Sequence, residues 1–341
     1  MKRIGLMGCG TVARYGHIPT IQATPGLTLA AVYDPVETAC RSAQEQFQVP
    51  QGFTNMEDFL KSGIDAVAIT SPAPWHRQNV LDAARFGKHI LCEKPLGMTD
   101  GDVREMIQAV GKAGVMLFTA FDYRFSPVAQ TIRHLVKDRA VGDVRSLRLI
   151  YIWNMHGKYV TVDGRRVLSA RRCGGMEEGG PLFGCGVHQI DLARWWLNSE
   201  VVRWSAAGAW VDEFAAPDHV YLHMDHEQGA HTMVEMSYTY AHTAAEPISH
   251  FSYHLIGTEG VIRYDRESRV FEVRDTRGTR QYPFASEKNF AGMYVAFAEA
   301  LEKGGSDVLP TSHDGLMATR IARSAVESVM AGRWKGDSKP R

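Results

Sequence analysis

The chain carries no excess of charge: 38 lysines and arginines stand against 38 aspartates and glutamates across 341 residues. No bulk electrostatic field therefore draws it to nucleic acid or to an anionic membrane. Long hydrophobic runs are missing too, and none reaches the roughly 18 residues that a bilayer span requires. The first apolar strand begins at Arg3, which leaves no room for a signal peptide and predicts a cytoplasmic protein. Cysteine is scarce: Cys9, Cys40, Cys92, Cys173 and Cys185 are scattered, odd in number and without a CxxC pair. Such usage argues against a structural zinc site and for a reduced compartment. Internal repeats and low-complexity segments are lacking as well. What remains is a chain long enough for two domains, each with an ample core.

The most informative segment is Arg-Ile-Gly-Leu-Met-Gly-Cys-Gly-Thr-Val-Ala at residues 3 to 13. An apolar strand is broken by Gly8-x-Gly10-x-x-Ala13 and followed by helix-compatible sequence. Gly8 permits a tight turn, Gly10 has no Cβ to obstruct a pyrophosphate, and Ala13 allows the helix to pack close to the strand. The unpaired N–H groups of the helix start then face the anion. A second apolar run, Leu27 to Asp34, ends in a carboxylate about 20 residues on, as the dinucleotide fingerprint requires. Asp34 accepts hydrogen bonds from ribose hydroxyls and repels a 2′-phosphate, which predicts NAD over NADP.

Up to about residue 122, short apolar strands at 2–7, 27–33, 65–70, 88–92 and 115–119 alternate with helical spacing at 37–47, 56–61, 76–86 and 100–113. Alternation of this kind predicts an α/β unit with a parallel sheet, a Rossmann domain over 1–122. A helix is expected at 127–137. Beyond it, strands at 143–154, 201–211, 218–226, 230–240, 250–257, 260–265, 269–275 and 279–283 predict an open, mostly antiparallel sheet. Helices are expected at about 186–197, 289–303 and 313–332. The second domain is thus read as α+β over 123–341, with its last helix packing back on the Rossmann domain and a frayed tail at 336–341.

Two further segments bear chemistry. Glu93-Lys94-Pro95 follows a strand at its carboxyl end, where open α/β sheets place ligands. Glu93 is suited to orient a cofactor ribose, and Lys94 to present an ammonium to a substrate oxygen. An ordinary Lys-Pro surface turn is the competing reading. Farther on, a glycine-rich run from Glu177 leads into a helix with His188 and Asp191 one turn apart. His188 suits proton shuttling near neutral pH. Asp191 either binds substrate or complements the positive helix end. The histidines at 219, 223, 226 and 231 lie on predicted strands without zinc-like spacing, so no metal site is expected.

Taken in order, the glycine fingerprint, Thr70-Ser-Pro-Ala-Pro-Trp-His76, Glu93-Lys94-Pro95, Tyr123-Arg124-Phe125-Ser-Pro127 and Gly-x-His188-x-x-Asp191 resemble the glucose–fructose oxidoreductase / inositol dehydrogenase (Gfo/Idh/MocA) family over nearly the whole chain. The resemblance implies a carbohydrate-like substrate and dimers or tetramers built through the second domain's sheet. It implies catalysis by Lys94 and His188. Cofactor contacts fall to Gly8, Gly10, Thr11, Val12, Ala13, Asp34, Thr70, Ser71, Pro72, His76, Glu93 and Lys94. Substrate contacts fall to Asp122, Arg124, Trp153, His156, Arg171, Arg172, Cys185 and Asp191. One departure stands out: the family usually has an aspartate four residues before the histidine, and here that position is Gly184. Three readings stay open. Lys94 and His188 suffice with an oxygen from Asp122, Glu177 or Glu178; or the chemistry is altered, as in relatives that cleave glycosides by transient oxidation; or the chain is a dinucleotide-binding regulator.

Overall fold

The computed structural model describes residues 1–333; the tail at 336–341 lies outside the described residues. The chain divides into two compact units, one made of Met1–Pro127 with Ser286–Thr319, the other of Val128–Ala285 with the chain from residue 320 onward.

In the first unit six parallel strands run in the order Gln51–Phe53, Leu27–Tyr33, Lys2–Met7, Ala66–Ile69, His89–Cys92, Leu117–Thr119. Alternate side chains along each strand point to opposite faces. Ile4, Leu6, Ala68 and Leu91 therefore enter one buried cluster, and Met7, Val67, Ile69, Ile90 and Cys92 enter the other. Both faces are apolar, which is why these strands read as near-continuous hydrophobic runs. Helix Asp100–Ala113 starts at a capping box between Thr99 and Asp102 and stops at Gly114, which has φ +67°. Helix Phe290–Lys303 contributes Met293, Tyr294, Phe297 and Leu301 to the first cluster. A first unit ending at residue 122 therefore misses the segment 286–319. Distant segments recruited by apolar burial leave no local trace in a sequence.

The second unit holds an eight-stranded sheet in the order Val201–Ala209, His219–His226, His231–Ser237, Val144–Ile152, His250–Gly257, Gly260–Asp265, Val270–Asp275, Gly278–Gln281. Its pairs are antiparallel except His231–Ser237 against Val144–Ile152. Along His219–His226 the even positions Val220, Leu222 and Met224 are buried, giving one apolar and one polar face. Helix Val187–Leu197 is buried at every position but Trp195, and the Trp196 indole donates to the Ala129 carbonyl at 2.9 Å. The hairpin Tyr159–Val162 with Arg165–Leu168, the helix Ala170–Glu178 and the edge strand Gln51–Phe53 are additions to the predicted elements. The last helix, Ser312–Ala331, begins in the first unit, where Leu316 joins the core, and continues in the second, where Ser324 accepts the Trp204 indole N–H at 2.9 Å.

Candidate active site

The sheet order of the first unit reverses between Lys2–Met7 and Ala66–Ile69, and a crevice at such a switch point is where open α/β sheets bind ligands. Gly8 follows the first of these strands and Thr70-Ser71-Pro72 the second. Gly8 has φ +96°, and a Cβ there would sit 2.6 Å from the Ser71 backbone nitrogen, so only glycine fits. Around Gly10 the opposite holds: a Cβ would meet no atom of the described residues within 4 Å. A π-helical segment, Ala13–His17, then leads into helix Ile18–Ala23. Asp34 closes the loop, its Oδ2 accepting from the Cys9 N–H and its Oδ1 from the Val36 N–H, both at 2.9 Å. Burial and the Asp34 charge push the Cys9 thiol up to about 12, which keeps it protonated. Thr70 Oγ1 donates to the Gly8 carbonyl at 2.7 Å and is buried. The cradle, with glycine required at one position and open space at the next, fits a dinucleotide pyrophosphate, and the half-buried Asp34 fits its ribose.

Glu93 is anchored rather than open. Its Oε1 meets His17 Nε2 at 2.9 Å and its Oε2 accepts the Lys94 N–H at 3.1 Å, while His17 Nδ1 lies 2.6 Å from the Tyr294 hydroxyl. Burial pushes the Glu93 carboxyl up, but the His17 bond and the charges of His17 and Lys94 pull harder and leave it below its ordinary value. A carboxylate only accepts, so His17 Nε2 carries a proton and donates it to Glu93. Nothing local marks His17 or Tyr294, which lie 277 residues apart. The Lys94–Pro95 bond is cis and Lys94 is half-buried. Asp122 is buried at 3% exposure, and its carboxyl is pushed up to about 7, first by burial and then by the Glu93 charge, with Lys288 and Lys94 pulling back.

In the second unit a π-helical segment, Leu182–Gly186, leads into Val187–Leu197. Gly184 lies in the segment; His188 follows one turn later and is buried, as is Asp191. Cys185 Sγ accepts from the Tyr238 hydroxyl at 3.3 Å. Trp153 stacks on Tyr151 with centroids 5.5 Å apart and carries the exposed His156 ring edge-on at 5.1 Å. His231 pairs with Asp225 at 2.7 Å, His219 with Glu235 at 3.3 Å, and His226 with Thr232 at 2.9 Å, so these are sheet histidines.

The match to family models decides the identity. Residues 2–121 match "Oxidoreductase family, NAD-binding Rossmann fold" and residues 129–263 match "GFO/IDH/MocA C-terminal domain". The chain belongs to the Gfo/Idh/MocA family. As a member it is an oxidoreductase with a dinucleotide-binding Rossmann domain. It is similar to the 1,5-anhydro-D-fructose reductase of Ensifer adhaerens, 27% identical over 98% of each chain. It is also similar to the myo-inositol 2-dehydrogenase of Thermotoga maritima, 26% identical over 96% of each. In structure it resembles an oxidoreductase from Agrobacterium radiobacter solved with NAD+, L-tartaric acid and magnesium, with a TM-score of 0.81, 20% identity and 97% of each chain covered. That last likeness shows the fold.

Three of the expected Gfo/Idh/MocA contacts have partners within their own unit. His76 is buried, with Nδ1 2.8 Å from the Pro95 carbonyl oxygen and Nε2 2.8 Å from the Ser71 carbonyl oxygen, so it bridges the two loops. Arg124 is buried and held by Asp314 at 3.0 Å. Arg172, 1% exposed, donates to Asp212 at 2.9 Å and to the Tyr238 carbonyl, and Asp212 also takes Lys158 and His242. A guanidinium so enclosed and paired clamps the segments around it. Arg171 is exposed, Glu177 is exposed, and the Glu178 carbonyl accepts from Arg323. No helix of the described residues is long and apolar enough to cross a membrane.

Proposed function

We propose that the protein is an NAD-dependent dehydrogenase of a sugar, polyol or sugar acid. The observation that carries this is the glycine cradle at the sheet's switch point, with Asp34 closing it and Lys94 at the end of the neighbouring strand. Gly10, Thr11, Val12 and Ala13 present backbone N–H groups to the pyrophosphate, while Gly8, whose N–H donates to the Tyr33 carbonyl at 2.8 Å, turns the chain beneath it. Asp34 holds the ribose hydroxyls and turns away a 2′-phosphate, which favours NAD over NADP. Thr70, Ser71 and Pro72 form the facing wall. When bound, the nicotinamide supplies the hydride acceptor or donor. The Lys94 ammonium polarises the reacting hydroxyl, and His188 takes up its proton. Glu93, fixed by His17, holds Lys94 through its backbone N–H. The substrate class draws support from the two named relatives, which act on an anhydro-sugar and a cyclitol. Homodimers or homotetramers through the eight-stranded sheet belong to the same reading.

Mass spectrometry of the purified protein for retained cofactor, followed by a sugar, polyol and sugar-acid panel read at the NADH absorbance, tests it. Lys94→Ala should lower turnover by about two orders of magnitude, the usual yield of a positioned acid–base group. Turnover at the wild-type rate would remove Lys94 from the reaction. The glycine at 184 favours one second reading, a dinucleotide-binding regulator; tight NAD binding with no turnover across the panel would select it.

A further inference from the structure

A side chain at position 184 would run into Tyr238. A Cβ there would lie 2.5 Å from the Tyr238 hydroxyl oxygen and 3.7 Å from its Cζ. The phenol thus already occupies the volume that a residue-184 side chain would take, one helical turn ahead of His188. Tyr238 is held there from several sides. Its N–H donates to the Asp218 carbonyl at 3.0 Å, and its own carbonyl accepts from Arg172. Its ring meets the Trp153 indole edge-on at 5.9 Å, and its hydroxyl donates to Cys185 Sγ at 3.3 Å. Burial, first, and Cys185, second, hold the phenol well above its ordinary pKa, so it stays neutral and keeps its proton. It is therefore no replacement for a carboxylate as a base.

Two features point to a ligand oxygen here. A thiol sulfur is a weak acceptor, so the phenol can turn from Cys185 to a better one at little cost. The Trp153 indole that packs on its ring has a buried Nε1 with no hydrogen-bond partner among the described residues, an arrangement that is costly unless a ligand or water accepts from it. Resting on the dehydrogenase reading, we propose that Tyr238 is a positioning and specificity-determining residue that stands where a residue-184 carboxylate would project. It donates a hydrogen bond to a substrate oxygen that only accepts, such as a carbonyl, carboxylate or ring oxygen. An acidic side chain at 184 would instead take a hydrogen bond from a substrate hydroxyl. Gly184 is then the consequence of Tyr238, not a lost residue.

The test is a cycle of wild type, Tyr238→Phe, Gly184→Asp and the double variant, each followed by melting temperature, NADH affinity, and kcat and KM on the substrates that the panel identifies. Tyr238→Phe should keep NADH binding and lower kcat/KM by about 3- to 10-fold, the worth of one neutral hydrogen bond, mainly through KM. Gly184→Asp should melt lower than wild type, and adding Tyr238→Phe should restore most of that loss. Unchanged kcat and KM in Tyr238→Phe would overturn the proposal, and so would melting-temperature changes that simply add. If the wild-type protein binds no NADH and turns over nothing, the dehydrogenase reading fails, while the melting-temperature cycle still decides whether the phenol fills the place of a side chain at 184.

Discussion

Near Gly10 and at Gly184 the chain does a similar unusual thing: it enters a helix through a π-helical segment, Ala13–His17 just after Gly10 in one case and Leu182–Gly186 around Gly184 in the other. Such segments recur at functional sites because they re-aim the side chains of one turn. The two glycines differ in what they face. Gly10 opens onto space, with no atom of the described residues within 4 Å of a would-be Cβ, whereas Gly184 faces the Tyr238 hydroxyl at 2.5 Å. One glycine leaves room for a ligand from outside, and the other leaves room for a neighbour already in place. The electrostatics differ likewise. Against the first glycine loop stands Asp34, with Glu93 on His17 of the segment that follows and Asp122 within reach of the Glu93 charge; directly against Gly184 stands the Tyr238 phenol, which keeps its proton. On the proposed reading, affinity for a cofactor and discrimination among substrates are built by different means on similar backbones.

The largest expected effect concerns the charged side of that contrast. Asp122 is pushed up to about 7 by burial and by Glu93, against about 3.9 in an unfolded chain. Between those values the fold holds a proton that the unfolded chain has released, so stability falls as pH rises from about 4 to 7. Asp122→Asn removes this liability. Above pH 7 the variant should be more stable by at most about 4 kcal/mol, taking 1.36 kcal/mol for each of about three units, and the advantage should vanish near pH 4. Urea melts at a series of pH values measure it, and a variant no more stable at pH 8 would contradict the assignment. Next in size is Gly10→Val. Two Cγ groups in the open cradle should weaken NADH binding by about 10- to 100-fold, since hydrogen bonds to a charged group are worth about 1.5–3 kcal/mol. The melting temperature should barely move, because the new Cβ meets no protein atom. Unaltered NADH affinity in a fluorescence titration would show that the open glycine is not a cofactor cradle.

How legible these two regions are in the sequence follows the same division. The cradle is local: Gly8, Gly10, Ala13 and Asp34 lie within one βαβ turn, and their spacing is dictated by backbone geometry, so the pattern can be read directly. The strands beside it carry apolar runs because both faces are buried, and they too are visible. The His17–Glu93–Tyr294 chain is not, since three segments separated by up to 277 residues meet through tertiary packing alone. Arg172 is another case of distant partners. Expected among the substrate contacts, it is buried against Asp212, 40 residues on, a partner that no local pattern announces. Position 184 is half-legible: the missing aspartate is plain in the sequence, but Tyr238, 53 residues beyond Cys185, is needed to see what fills the space.

The smallest expected effect is also the most direct on the comparison, because it places the same substitution at both glycines. Gly10→Ala adds a methyl group to open space, and a Gly→Ala change at a compatible backbone position raises stability by about 0.4–1 kcal/mol through the unfolded chain. Gly184→Ala has the same backbone benefit, since its φ is not positive. Its methyl group, however, arrives 2.5 Å from the Tyr238 hydroxyl oxygen, on a ring pinned by Trp153, Cys185 and its own backbone bonds. Overpacking of that kind costs about 1–3 kcal/mol, so the net loss at 184 should be about 1 kcal/mol while the change at 10 is a small gain. The two variants should therefore move melting temperature in opposite directions. Combining Gly184→Ala with Tyr238→Phe removes the oxygen in the way and should bring position 184 level with position 10. Equal shifts at the two sites in the Tyr238 background would mean that the phenol yields freely, and the distinction between an open glycine and a filled one would not survive.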